Sequence, residues 1–87
     1  MKLVRYLVKS EEGLHARPAS LLTGVASKYP DRVDIIYQGK KLTLKSIMIV
    51  MGLGIPHNAE FEIEVEGAHE DEIVTLLTKV STDHSII

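Results

Sequence analysis

Between Glu60 and Glu66 apolar and acidic residues alternate without a break. Phe61, Ile63 and Val65 fall on one side, and Glu60, Glu62, Glu64 and Glu66 on the other. A period of two is that of an extended strand, whose successive side chains point to opposite faces. Such a strand belongs in a sheet that is covered on one face and wet on the other. The covering layer must come from the rest of an 87-residue chain, enough for one small domain spanning residues 1–87. Hydrophobic residues make up 45% of the chain but aromatics only 5%, so the core is expected to be aliphatic.

The remaining elements can be placed around that strand. Lys2 to Lys9 alternates, with Val4, Tyr6 and Val8 on one side, and predicts a first strand. Ser10-Glu11-Glu12-Gly13 is a break. Ala19, Leu22, Val25, Ala26 and Tyr29 follow helical spacing and predict a helix from Ala16 to Tyr29. Pro30 ends it, because proline disfavours helical geometry in the residue before it. Arg32 to Tyr37 and Lys40 to Leu44 predict two strands joined by a turn at Gln38-Gly39. Ser46 to Met51 predicts a short helix. From Glu70, the residues Ile73, Leu76, Leu77 and Val80 predict a last amphipathic helix, and Glu70, Asp71 and Glu72 suit its N-terminus. The order is β-α-β-β-α-β-α. With one face of a strand fully charged, the expected fold is α+β: an open-faced sandwich with all helices on one side of a single sheet.

Several function classes recede on composition. A net charge of -2 is not that of a polycation built for nucleic acid or an anionic membrane surface. A sheet face that reads single-stranded RNA needs aromatic and basic residues, whereas Glu60 to Glu66 offers carboxylates. With no cysteine, thiolate chemistry is excluded. No stretch approaches the roughly 20 apolar residues of a membrane span, and Met1 to Lys9 has no signal-peptide core. The cytoplasm is the expected location. His57, His69 and His84 have no spacing that argues for a metal, so no metal or cofactor is expected and these three read as surface residues.

The chemistry concentrates in Gly13-Leu14-His15-Ala16-Arg17-Pro18-Ala19. The chain turns at Gly13 and a helix begins near Ala16. Pro18 falls in the first helical turn, where its missing N–H removes a donor that has no intrahelical partner. His15 is placed at or near the N-cap, facing free backbone N–H groups and the positive end of the helix dipole. A neutral imidazole there is a nucleophile. A phosphoryl group on it would meet the donors of the helix start, around Ala16 and Pro18, and the guanidinium of Arg17. A lone loop histidine is ordinarily only a polar surface residue; the glycine turn, arginine and proline around this one single it out.

A second feature is Ser46 followed by Ile47-Met48-Ile49-Val50-Met51. As an N-cap, Ser46 would bond a free N–H, worth roughly 1 kcal/mol. Phosphorylated, it would add about -1.5 to -2 charge at a positive helix end without unfolding the helix. Both readings stand. A helix this short cannot bury the whole apolar run, so Met48 is expected to point outward and Ile47 and Met51 to be shared between core and surface, a patch suited to docking. Ser20, Thr23, Gly24 and Ser27 give the preceding helix a small-residue outer face beside Arg17.

These segments resemble one family over essentially the whole chain. The Gly13–Ala19 run resembles the active-site segment of HPr, the histidine-containing phosphocarrier of the bacterial sugar phosphotransferase system. Lys45-Ser46-Ile47-Met48 resembles its regulatory-serine segment, and Gly52-Leu53-Gly54 and Glu66-Gly67-Ala68 also fit. The resemblance implies a four-stranded antiparallel sheet in the order 1-4-2-3 with three helices on one face. It implies a monomeric carrier rather than an enzyme, whose His15 takes a phosphoryl group on Nδ1 from enzyme I and passes it to enzyme IIA domains, with Arg17 stabilising the phosphate. The wording around Ser46 resembles the Gram-positive branch, in which HPr kinase/phosphorylase modifies the serine and the phosphoserine form binds a catabolite control protein. Ile49, Gly24, Glu12 and His69 depart from the family pattern and bear on partner choice. The rival expectation is an HPr-like regulatory binding module working mainly through Ser46 and the Ile47/Met48/Met51 patch.

Overall fold

In the computed structural model, which describes residues 1–87, the chain order is β1 (Lys2–Leu7), α1 (Ala16–Ala26), β2 (Arg32–Tyr37), β3 (Lys40–Thr43), α2 (Ile47–Gly52), β4 (Glu60–Glu66) and α3 (Glu70–Asp83). The strands form one antiparallel sheet in the order β1-β4-β2-β3. The register follows the period-two pattern. Ile63 of β4 stands between Val4 of β1 and Ile35 of β2, and Val65 stands opposite Val33. These side chains line the covered face, where Leu22 and Ala26 of α1, Val50 of α2, and Ile73 and Leu77 of α3 close over them in one aliphatic cluster around Phe61. The α+β open-faced sandwich is the fold predicted from the sequence.

The wet face is organised by cross-strand charge. The register puts Arg32 opposite Glu66 and Asp34 opposite Glu64. The guanidinium of Arg32 reaches Glu66 at 2.8 Å, Glu64 at 3.3 Å and Asp34 at 3.6 Å, and Lys41 bonds Glu64 from β3. The Lys41 hydrogen bond, followed by its charge and that of Arg32, holds the Glu64 carboxyl below its usual range against the opposing effect of burial. The row of glutamates in β4 is therefore tolerated because the neighbouring strands supply cations in register.

Element ends deviate from the sequence expectation. The first helix stops at Ala26, and the approach to Pro30 is made in a tighter turn, with Lys28 N–H donating to Val25 O (3.2 Å) and Tyr29 N–H to Ala26 O (3.4 Å). At the other end of the chain α3 runs on to Asp83, beyond the last residue of the apolar stripe.

The start of α3 is fixed from outside. His69, its N-cap, makes no side-chain cap; instead Asp31, from the loop between α1 and β2, accepts the His69 N–H at 2.7 Å and the ring Nδ1 at 2.8 Å. The Asp31 side chain is only 2% exposed. Tyr29 stacks obliquely on the His69 ring and bonds Glu72. His69 is thus a structural tie rather than the plain surface residue its sequence setting suggests. Burial pushes the Asp31 carboxyl up, but the two bonds from His69 outweigh it and leave the group below its ordinary value. A carboxyl lowered in the folded state contributes stability above its unfolded pKa and loses it as pH falls through the folded value. Equilibrium unfolding from pH 7 down through the acid range should therefore show a flatter stability curve for Asp31→Asn than for the parent; parallel curves would exclude the tie as a source of acid sensitivity.

Candidate functional site: an exposed histidine at the mouth of α1

The geometry of His15 is set by its neighbours. Leu14 and Ala19 are buried in the core cluster, whereas His15, Ala16 and Arg17 between them are exposed and Pro18 is half-buried. Burying the flanks and leaving the middle outside presents the side chains at the helix mouth to solvent. His15 is the N-cap of α1, in extended backbone (φ -83°, ψ -159°). Its carbonyl accepts the Ala19 N–H at 2.9 Å, while its imidazole makes no capping bond. The N–H groups of Ala16 and Arg17 have no acceptor in the protein, and Pro18 has no N–H to offer. Unpaired donors and the positive helix end are therefore available to an anion held at the imidazole. None of the ion pairs in the molecule engages Arg17.

The turn before His15 is held by backbone from distant segments. Gly13 adopts φ +73° and donates its N–H to Ser10 O at 3.0 Å. Leu14 N–H donates to Ile55 O at 2.9 Å, in the loop between α2 and β4. The His57 ring meets Ser10 O from the same loop at 3.2 Å through Nδ1. On the other flank an open groove of about 660 Å³ runs past Arg17, between the β1–α1 turn and the residues after α3. Glu12 and Arg17 both line it. These main-chain partners, Ile55 above all, are absent from the sequence reading. The only signal for them was Gly13 itself.

The second region lies on α2, which packs beside α1. Ser46 is the N-cap in extended backbone, and its Oγ accepts the Ile49 N–H at 3.3 Å. Met48 is 84% exposed and Ile47 43%, Met51 is half-buried and Val50 is buried, so the run divides much as its length requires. Ser20 and Gly24 of α1 and its C-cap residue Ser27 are exposed. Thr23 is a correction to the expected small-residue outer face. It is 4% exposed, and its hydroxyl donates to Ser20 O at 3.2 Å, within the helix. It lies on the stripe Ala19, Leu22, Thr23, Ala26 that α1 turns to the core. No cluster of His, Cys, Asp and Glu able to hold a metal is present, and no helix is long and apolar enough to cross a membrane.

Comparison with known proteins places these features. Residues 4–83 match the family model described as the phosphotransferase-system HPr component phosphorylation site. The histidine-containing phosphocarrier protein of Mycoplasma is similar over 99% of this chain and 98% of its own, at 34% identity and a TM-score of 0.94. An HPr protein of Thermoanaerobacter tengcongensis is similar over 92% of this chain and 90% of its own, at 36% identity and a TM-score of 0.86. The phosphocarrier protein HPr of Bacillus anthracis matches over 91% and 94%, at 32% identity and a TM-score of 0.82. With this four-stranded frame and a family match over residues 4–83, the chain belongs to the HPr family of phosphocarrier proteins of the phosphotransferase system.

Proposed function

We propose that His15 is the phosphoryl-carrying residue, loaded by phosphorylated enzyme I and discharged to enzyme IIA domains. The single observation behind this is the imidazole standing exposed at the open N-terminus of α1, beside an arginine with no other partner. In the loading step His15 Nδ1 attacks phosphorus; the new N–P bond forms as the bond to the donor breaks, and the donor keeps that electron pair. The N–H groups of Ala16 and Arg17 and the Arg17 guanidinium meet the charge on the transferring oxygens. Pro18 fixes the first helical turn. The stabilisation is electrostatic and moderate, so the group stays transferable and no metal or nucleotide is needed. The working location is the cytoplasm and the working form a monomer.

The test is incubation with enzyme I and phosphoenolpyruvate. It should yield one acid-labile phosphate per chain, mapped to His15 and passed on when an enzyme IIA domain is added. Failure of the parent to take label would overturn the carrier reading. Label found only on Ser46, acid-stable and dependent on ATP and HPr kinase/phosphorylase, would favour the regulatory binding module instead.

Ser46 is the proposed regulatory site. Its cap bond supports the helix start, and the exposed Ile47 and Met48, with Met51 behind them and Ser20, Gly24 and Ser27 on the neighbouring helix, form the proposed docking surface for enzyme I, enzyme IIA domains and, after serine phosphorylation, a catabolite control protein. Negative charge at Ser46 should slow loading of His15, because it falls on the surface the donor uses. Ser46→Asp is expected to take label from enzyme I at a reduced rate with its fold unchanged; equal rates for Ser46→Asp and the parent would count against this surface as the donor's dock.

A further inference from the structure

The segment after α3 reaches back to the turn that carries His15. Ser85 stands in left-handed backbone, φ +57°. The Ile86 N–H returns to Ser81 O at 2.8 Å, and the Ser85 N–H to Thr82 O at 3.2 Å. This pair of bonds closes a helix in the Schellman manner, which turns the following residue inward. The inward residue is Ile86, 1% exposed and part of the core cluster. Its carbonyl, delivered by that burial, accepts two main-chain donors: Lys9 N–H at 2.7 Å and Ser10 N–H at 3.3 Å. Ser10 in turn accepts the Gly13 N–H that closes the turn into Leu14 and His15. The hook and the turn also form two walls of the groove along which Arg17 lies.

From this we infer that Ile86 is a positioning residue for phosphoryl transfer: its buried side chain anchors a carbonyl that fixes Lys9 and Ser10, and through them the Gly13–His15 turn. The inference rests on the carrier reading of His15. Its physical basis is that β1 ends at Leu7, leaving residues 8–14 outside the regular ladder. Such a connection is rigid only where backbone donors find fixed acceptors. Here they are Ala59 O for Val8, Ile86 O for Lys9 and Ser10, Ser10 O for Gly13, and Ile55 O for Leu14. Ile86 O is the one acceptor of this set that serves two main-chain N–H donors.

The experiment compares the parent with Ile86→Ala, Ile86→Leu and Ser85→Gly, using amide hydrogen exchange by NMR and loading of His15 by enzyme I. In Ile86→Ala the amides of Lys9, Ser10 and Gly13 are expected to exchange at least roughly ten times faster, against a smaller change for Val33 and Ile63 in the sheet. With this variant as the substrate of enzyme I, kcat for loading should fall while KM for the carrier holds. Ile86→Leu, which keeps an apolar anchor, should restore both. Ser85→Gly, which removes the cost of left-handed backbone, should slow exchange at Lys9 and Ser10 several-fold. Unaltered exchange at Lys9 and Ser10 in Ile86→Ala, or faster exchange with undiminished kcat, would overturn the inference. A parent that exchanges as described but accepts no phosphate would instead overturn the carrier reading, so the two failures are distinguishable.

Discussion

His15→Ala is expected to take no acid-labile phosphate from enzyme I above background while unfolding at nearly the parent temperature. The imidazole is exposed and makes no capping bond. Its removal breaks no packing and leaves no buried group unpaired, which bounds the stability change at about 0.5 kcal/mol. The chemical loss is complete because carriage requires a covalent bond to that ring. His57→Ala, His69→Ala and His84→Ala should each still be labelled to one phosphate per chain. Arg17→Ala should keep the acceptor and lose speed, roughly 10²-fold, the cost of removing one charge-stabilising donor group. Arg17→Lys should fall between, since an ammonium supplies charge without the planar fork. If His15→Ala is labelled as well as the parent, the phosphoryl group sits elsewhere and the carrier reading of this histidine fails.

The fold is most legible in the sequence where a side-chain period sets the structure. The alternation in β4 specified a sheet with one charged face, and the stripes in α1 and α3 specified which helix faces cover it. It is less legible where a polar side chain occupies a buried position. Thr23 falls three residues before Ala26 and four after Ala19, on the buried stripe, yet its hydroxyl suggested an outward place. It is least legible where main chain meets main chain across a long separation. A carbonyl such as Ile55 O or Ile86 O carries no mark in the amino-acid code, and the buried Asp31 that holds His69 lies 38 residues from it. His15, Arg17 and Ser46 stood out because their chemistry is in their side chains; what holds them in place lies largely in the backbone. The Glu64 ion pairs belong between these cases, because each charge is visible in sequence but their meeting depends on strand order.

Gly13→Ala should destabilise this chain strongly for the addition of one methyl group. Two costs coincide there. At φ +73° a side chain sits in a backbone region that L-residues enter at about 1–2 kcal/mol. A Cβ at Gly13 would also overlap the Ile55 carbonyl oxygen and stand 3.0 Å from Pro56 Cα. Those atoms are backbone, and Ile55 O is itself the acceptor for Leu14 N–H, so the clash cannot be relieved by rotating a side chain. The turn must move away from the loop between α2 and β4, losing that hydrogen bond. The expected destabilisation is on the order of 2–3 kcal/mol, a large share of the roughly 5–15 kcal/mol that holds a domain folded. For a domain of this size that lowers Tm by roughly 10 °C or more. Gly24→Ala is the control. Nothing lies within 4 Å of a Cβ there, and the site is inside α1, so the same methyl should stabilise by up to about 1 kcal/mol. The functional consequence separates the pair further. Displacing the turn moves the His15 ring relative to the Ala16 and Arg17 donors, and a misplacement of about 1 Å can cost roughly 10²-fold in rate. Gly13→Ala should therefore remain folded at 25 °C, melt early and accept phosphate slowly. Thermal unfolding and the initial rate of His15 labelling measure both. A variant with parent Tm and parent rate would mean that the Ile55 contact neither strains nor positions the turn.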